Sequence, residues 1–416
     1  EVVAYMGAVL SLKADMLANE NFIATAKDRD SVRKLFELVG VSMKGPTSAQ
    51  ATVDISVEGI DELDKDLTLS PSERVFTVVS PEDGESSTYT LYAISNGRVG
   101  DPESNASITY TSSLLTSSTG VYSEAVLLEG SFAVESGQFS DVDVFKSISL
   151  TEAPVIQNST QVYVSAPSFP KADVIYRAVD NLYQASSTND KVFQVIYSDD
   201  YTASIIFGDG NNGVSPPPGS TYTVTYRVGG GSRGNTPASY INAVGTGTYN
   251  EVAGQGIRVV QMSMATGGTD AETVEKAKRY APLTFRRQDR LVSLEDYTAF
   301  ASRFTSNAGS TGKGTASLRK AFSSANVIDL FILESATDTQ LQKASISFKN
   351  DLLAAIDIKK MITDDVVVND GLIRTVDLVI TANVDKRFEG IEGTITPQIA
   401  RKVQNYFLST NRDFGE

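Results

Sequence analysis

The feature that most constrains the fold is a change of hydrophobic period along the chain. Residues 2–18 repeat apolar side chains at spacings of three and four, the helical period. From about Ala49 to Ala265 the period becomes two, broken by Gly, Ser, Thr and Asp-Gly punctuation. Thr221 to Val228 is the clearest case. Tyr222, Val224, Tyr226 and Val228 fall on one side, and Thr221, Thr223, Thr225 and Arg227 on the other. After Thr266 helical spacing returns, and the last hundred residues mix both periods. Such a text fits neither a helical bundle nor a single barrel. It predicts an α+β multidomain protein, and 416 residues suffice for several cores.

Five regions follow. Residues 1–45 form an N-terminal helical segment, 46–131 a β domain, and 132–265 a second mainly-β region. Residues 266–317 are a helical segment and linker, and 318–416 an α+β interaction domain. In the first region Val2, Tyr5, Met6, Val9, Leu12, Met16 and Leu17 make one apolar stripe. It could pack within the chain or on a partner subunit. A second helix is predicted over Ser31 to Val39, capped by Asp30 and closed by Gly40. Ala51 to Val57 and Ser87 to Ile94 read as strands, and Pro102 to Ser118, rich in Ser and Thr, as an edge strand or, by preference, a solvated loop. Val192 to Tyr197 and Thr202 to Phe207 flank a turn at Asp199-Asp200.

Further on, Thr269 to Glu272 spells a capping box, and Pro282 should end or kink the helix near Tyr280. Ser293 to Asp296 opens another helix, Leu294 to Phe304, and the Gly/Ser/Thr-rich stretch Asn307 to Ser317 reads as a linker. Val327 to Leu333 suits a central strand. Thr337 and Gln340 open a helix with Leu341, Phe348, Leu352 and Ile356 on one face. Two strands, Asp365 to Val368 and Leu372 to Val384, precede a helix capped by Thr396 with Pro397 first. Its apolar face holds Ile399, Val403, Tyr406 and Phe407. The order β-α-β-β-α is most of a split βαβ unit of the ferredoxin-like type. Leu341, Phe348, Leu352, Val403, Tyr406 and Phe407 are the candidate interface residues.

Composition narrows the function. The chain has no Cys, His or Trp, so the commonest general base, metal ligand and thiol nucleophile are all missing. Ser or Thr nucleophiles would lack a His base. The net charge is −15, and no Lys/Arg run is longer than two residues, as at Arg286-Arg287 and Lys359-Lys360, so a nucleic-acid partner is not expected. No run of 18 apolar residues suggests membrane insertion, and Lys13, Asp15 and Glu20 make the opening unlike a signal peptide. Without an initiator Met, the chain reads as a segment of a longer protein.

Three patterns could carry chemistry. Gly229-Gly230-Gly231-Ser232-Arg233-Gly234 matches G-x-G-x-x-G, but no amphipathic helix follows it, so a glycine turn is the better reading. Asp209-Gly210-Asn211-Asn212-Gly213 faintly resembles a calcium loop, yet the twelfth position is Ser220; tight-turn chemistry explains the same letters. The acidic pairs Asp199-Asp200 and Asp364-Asp365 sit at predicted strand ends, where charged residues are ordinary. No catalytic residue, cofactor or metal is expected.

Phe207-Gly208-Asp209-Gly210, Gly213, prolines 216–218 and Gly219 are followed by Tyr226-Arg227, the run 229–231 and Gly234-Asn235. A second stretch runs from Gly267-Gly268-Thr269-Asp270-Ala271-Glu272 through Ala281-Pro282 to Arg290-Leu291-Val292-Ser293 and Asp296-Tyr297. Together they resemble the baseplate J family, the wedge proteins of contractile phage tails and related injection machines. Leu17-Ala18-Asn19-Glu20 near the start and Tyr406-Phe407 near the end resemble the family's flanks; across 50–190 only the order of segments carries the likeness. The resemblance implies a structural subunit in the ring around the tail hub, rearranging on contraction. Implied partners are other copies of itself, a second wedge protein, and tail hub or sheath-proximal baseplate proteins. The implied location is the virion tail baseplate, assembled in the bacterial host cytoplasm. The alternative is a carbohydrate-binding or adhesive tail component, for which the 17 tyrosines speak.

The structural motif is Phe207, Gly208, Asp209, Gly210, Gly213, Tyr226, Arg227, Gly230, Gly234 and Asn235. Asp209 is expected to bond amides of its own turn and to pair with Arg227. Gly210→Val is then expected to cost a few kcal/mol through φ strain.

Overall fold

A computed structural model describes residues 2–38, 40–60, 64–79, 86–95, 97–112, 115–116, 121–140, 146–167, 173–198, 201–287, 290–306, 309–319, 326–335, 341–374, 379, 392–407 and 414. Among them lie six α-helices: α1 (Val2–Asn19), α2 (Arg29–Leu38), α3 (Val274–Arg287), α4 (Leu294–Ser302), α5 (Ile346–Asp357) and α6 (Glu392–Phe407). With three sheets they make a mixed α+β, multidomain fold. Among the described residues no helix is long and apolar enough to cross a membrane.

Alternation builds the first sheet. In Gln50–Val57, the residues Val53, Ile55 and Val57 are buried while Thr52, Asp54 and Ser56 are half-buried. This strand lies at the centre, between Val121–Glu129 and Val252–Gln261. The sheet curls, because Phe76 of the edge strand Val75–Val79 packs where a side chain on Gly245 would stand, 2.9 Å away. Tyr89, Leu91, Tyr110, Tyr122, Leu127 and Val259 fill the interior.

The chain leaves this sheet at Gly130 (φ +113°), enters Ser131–Gln138 and builds a second sheet through Thr221–Val228. It then returns. The hairpin Asn242–Tyr249 and Val252–Gln261 pairs back into the first sheet. The expected unit 132–265 is therefore divided, with 242–261 belonging to the first β domain. Period-two alternation marks a strand but not its partner, so this return is invisible in the sequence. The Asp199-Asp200 turn and the expected strand 372–384 lie largely or wholly outside the described residues; the strands around the turn pair antiparallel, with Tyr197 opposite Ala203. Within 102–118, Ile108–Tyr110 and Leu115–Thr116 are short strands, the first at the edge of its sheet, so here the edge-strand reading describes the segment better than the loop.

The third sheet is the α+β end. Asn326–Ser335 is central, as its apolar run predicts, between Gly309–Arg319 and the parallel strand Asp364–Asp370. α5 connects the parallel neighbours. They bond directly, so this βαβ unit is closed and no strand splits it. Gly309–Arg319 is thus a full strand and not a linker. Its small residues have a packing role: a Cβ on Gly314 would stand 3.0 Å from that of Ala301, so glycine lets α4 lie close. The boundary at 317/318 accordingly runs through a strand.

The helix ends differ from expectation where tertiary contacts compete. Asp28, not Asp30, caps α2 by accepting from the Ser31 amide at 2.9 Å, and Gly40 takes φ +76° as expected. Ser293 and Asp296 form the expected capping box of α4. α3 runs through Pro282, since packing at both ends outweighs one lost hydrogen bond: Ala277 joins Val32 and Phe36 of α2, and Thr284 meets Arg303. α5 begins after Ser345, whose hydroxyl accepts from the Phe348 amide; the expected cap at 337–340 is outside the described residues. α6 begins at Glu392, upstream of Thr396, with Pro397 inside it.

Candidate functional site

The two glycine-rich segments, far apart in sequence, meet in space. They close on Thr47–Gln50 and on Glu129-Gly130, where the chain passes between the β domains. Thr47 organises the contact. Its amide donates to the Thr269 carbonyl at 2.9 Å, its hydroxyl donates to the Gly267 carbonyl at 2.8 Å, and its carbonyl accepts from the Gly231 amide at 3.0 Å. Asn235 adds a reciprocal pair with Gly268: Nδ2 donates to its carbonyl at 2.7 Å and Oδ1 accepts from its amide at 3.0 Å. A Cβ on Gly268 would stand 2.4 Å from the Gly231 carbonyl oxygen, so only glycine permits this approach.

The amides that a phosphate-binding loop would present are already taken. Gly230 donates to the Glu129 carboxylate at 2.5 Å, Gly231 to Thr47, and Ser232 to Asp270 Oδ1 at 3.1 Å. A short 3-10 turn over Ser232–Gly234 follows and then a strand, so this G-x-G-x-x-G is a corner filled by protein.

Arg227 corrects the sequence reading. It lies on the polar side of its strand yet is fully buried, and it does not pair with Asp209. Its Nη2 donates to the Glu129 carbonyl at 2.5 Å and to Ser48 Oγ at 3.2 Å, and its guanidinium faces the Tyr92 ring. The arginine spans the gap between the two sheets. Asp209 bonds its own turn as expected, accepting from the amides of Asn211 at 2.9 Å and Asn212 at 2.8 Å. Those bonds hold its carboxyl below the usual range. Its loop closes on itself, with Gly210 donating to the Gly213 carbonyl at 2.9 Å. Phe207 packs edge-on to Phe139 in the core of the second sheet, 5.3 Å between centroids. Tyr226 is buried in the same core, and its hydroxyl donates to Glu135. So the motif divides: Arg227, Gly230, Gly234 and Asn235 build the junction, while Phe207 to Gly213 form a separate turn.

A third body is tied in at Glu272. This is not the end of a capping box: Thr273 caps α3, accepting from Lys276 at 3.3 Å, and Thr269 bonds Thr47. Glu272 instead makes a buried two-point pair with Arg303, at 3.0 and 2.8 Å. Burial pushes this carboxyl up, but the charges of Arg303, Lys276 and Lys44 bring it below its ordinary value. Arg303 also donates to the Ser42 carbonyl at 3.1 Å, and Arg29 to the Glu272 carbonyl at 2.7 Å. Glu334 joins the α+β end to the junction, accepting from Thr266 Oγ1 at 3.1 Å. Burial pushes both Glu129 and Glu334 up to about 7. Thr47, Glu129, Arg303 and Glu334 carry no sequence signal, since the partners that tie them into the junction are remote: Glu272 lies 31 positions from Arg303 and Thr269 lies 222 from Thr47.

The candidate interface residues do not form one surface. Phe348 and Leu352 are fully buried against Ile328, Leu330 and Tyr297, so they hold the α+β core and cannot meet a partner. Leu341 and Val403 are half-buried, Tyr406 is exposed, and the Phe407 side chain is outside the described residues.

No family model matches the chain, and no curated protein does. Among solved structures it is similar to a chain of the anti-feeding prophage baseplate, at 11% identity and a TM-score of 0.30, covering 99% of this chain and 75% of that one. It is also similar to a chain of the type VI secretion system TssK-TssF-TssG baseplate subcomplex, at 8% identity and a TM-score of 0.34, covering 92% and 98%.

Proposed function

We propose that the chain is a structural wedge subunit of a contractile-tail baseplate, taking part in ring assembly and in rearrangement on contraction, and that it is not an enzyme. The observation that carries this reading is the contrast between a closely interlocked centre and an exposed N-terminal helix. Every described side chain from Tyr5 to Asn19 is exposed, including Tyr5, Met6, Leu12 and Met16. An isolated 18-residue helix is marginal in water, so α1 needs a surface to cover it. Within this chain it has none among the described residues. Of the two uses left open by the stripe, the arm on a partner subunit is the one this exposure supports.

The family resemblance supplies the kind of assembly: copies of this chain, a second wedge protein and hub-proximal proteins, in the tail baseplate of a virion built in a bacterial cytoplasm. The motif residues that carry the resemblance bond one another and present no open reaction centre. Light scattering of the full chain, with and without candidate neighbouring tail proteins, tests the proposal. A larger complex of defined mass is expected. A strict monomer that bound none of them but bound glycan would overturn it in favour of an adhesive component.

A further inference from the structure

Three cations crowd one buried acid beside a cavity. Arg303 holds Glu272 in its two-point pair, and Lys276 and Lys44 are close enough for their charges to act on the same carboxylate. Among the described residues Glu272 is the one acid that acts on Lys276. Lys44 is acted on also by the exposed Asp180. Neither lysine has a carboxylate at ion-pair distance among the described residues. Three cations against two acids leave a surplus of one positive charge, in a chain whose net charge is −15.

Lys44 brings that surplus to a cavity of about 470 Å³, where it lies among Asp180, Phe285 of α3, Phe300 of α4, and Phe304 and Thr305 just beyond α4. Such a volume suits a small organic molecule. The Lys44 ammonium donates to Thr305 Oγ1 at 3.2 Å and has two further donors to give. Burial is the first reason that this amine lies below the usual lysine range: a charge is kept from water with no close counter-ion. A carboxylate beside Lys44 would be that counter-ion. Phe300 and Phe304, 5.8 Å apart between ring centroids, supply an apolar wall. An adjoining recess of about 80 Å³ is lined by Thr160, whose buried hydroxyl has no hydrogen-bond partner among the described residues. The single surplus charge favours a monoanion over a dianion. Asp180 is exposed to water, so it does not call for a ligand cation.

We propose that this cavity binds a small monocarboxylate with an apolar body, the carboxylate meeting Lys44 and the body lying against Phe300 and Phe304. This goes beyond the assembly reading and does not rest on it, since no residue of α1 lines the cavity.

Isothermal calorimetry on the full chain tests it, with phenylpropionate as the probe. Phenylpropionamide removes the charge, acetate removes the apolar body, and phenylalanine adds an ammonium beside the carboxylate. Phenylpropionate should bind with a Kd below about 1 mM, and the other three at least about tenfold more weakly. It should also raise the melting temperature of the unaltered chain. Lys44→Met should weaken binding at least about tenfold and keep a cooperative melt, because methionine fills similar space and needs no counter-ion. Asp180→Asn should change binding in the opposite direction, strengthening it about two- to threefold, since it removes a facing negative charge. No binding up to about 10 mM, equal binding of the amide, or unchanged binding in Lys44→Met would overturn the proposal. Tighter binding of phenylalanine, lost in Asp180→Asn, would make this a zwitterion site and the monocarboxylate assignment wrong. Met6→Glu on α1 should leave the calorimetry unchanged, so failure of the α1 reading and failure of this one are distinguishable.

Discussion

The junction around Thr47 and the helix α1 are opposites. At the junction, polar side chains and backbone amides from three bodies interlock: Gly230, Gly231, Ser232, Asn235 and Gly268 all have protein partners. Along α1, Tyr5 is 72% and Leu12 62% exposed, and none of its described side chains belongs to a buried core. The difference separates two meanings of a distinctive sequence. The glycine-rich motifs are distinctive because a close three-way approach admits few residues. α1 is chemically plain, and it is the segment that we propose meets another molecule.

The comparison can be broken most sharply at Gly268. Valine there would drive a Cβ into the Gly231 carbonyl, so Gly268→Val should cost about 3–5 kcal/mol in denaturant unfolding. An ordinary melting curve would mean the junction is not close-packed. Arg303→Met should cost about as much, because it leaves Glu272 buried without its charge partner. The double change with Glu272→Leu should recover much of that loss, which a double-mutant cycle reads directly.

The buried carboxyls sharpen the picture through pH. Glu129 and Glu334 are raised to about 7 from an ordinary 4.5. The folded state therefore holds protons that the unfolded state has released. Stability from these groups is fully present below about 4.5 and is lost as pH rises through about 7, on the order of 3 kcal/mol per group. Glu129→Gln and Glu334→Gln should each flatten that fall in urea titrations run across this window. An unchanged pH profile in both would contradict the burial of these acids. Gly210→Val should cost only about 1–2 kcal/mol: its φ of +91° is strained for valine, but a Cβ there meets open space. Of the glycines, the junction and not the exposed turn should be the sensitive place.

Much of the fold is legible because local chemistry decided it. The alternation of Thr221–Val228, the capping box at Ser293, the left-handed Gly40 and the apolar central strand Asn326–Ser335 follow from rules acting over a few residues. The misreadings share one cause, long-range contact overriding a local cue. Thr269 and Glu272 have the spacing of a capping box but are drawn off by Thr47 and Arg303. Gly309–Arg319 has a linker's composition because α4 must lie close upon it. Arg227 sits on a polar stripe, yet at its end of the strand the side chain is buried against the other sheet. The Asp209 turn was legible, being local; the rest of the junction was not, since it joins segments that only the completed fold brings together.

The smallest effect on stability should come from α1, and there the central claim is tested most directly. Met6→Glu with Leu12→Glu should change the unfolding free energy of the isolated chain by less than about 0.5 kcal/mol, as for ordinary surface positions. In light scattering with the neighbouring tail proteins, the same variant should stay at the mass of the free chain while the unaltered protein forms the larger complex. Assembly indistinguishable from that of the unaltered protein would contradict the assignment of α1 as the assembling arm.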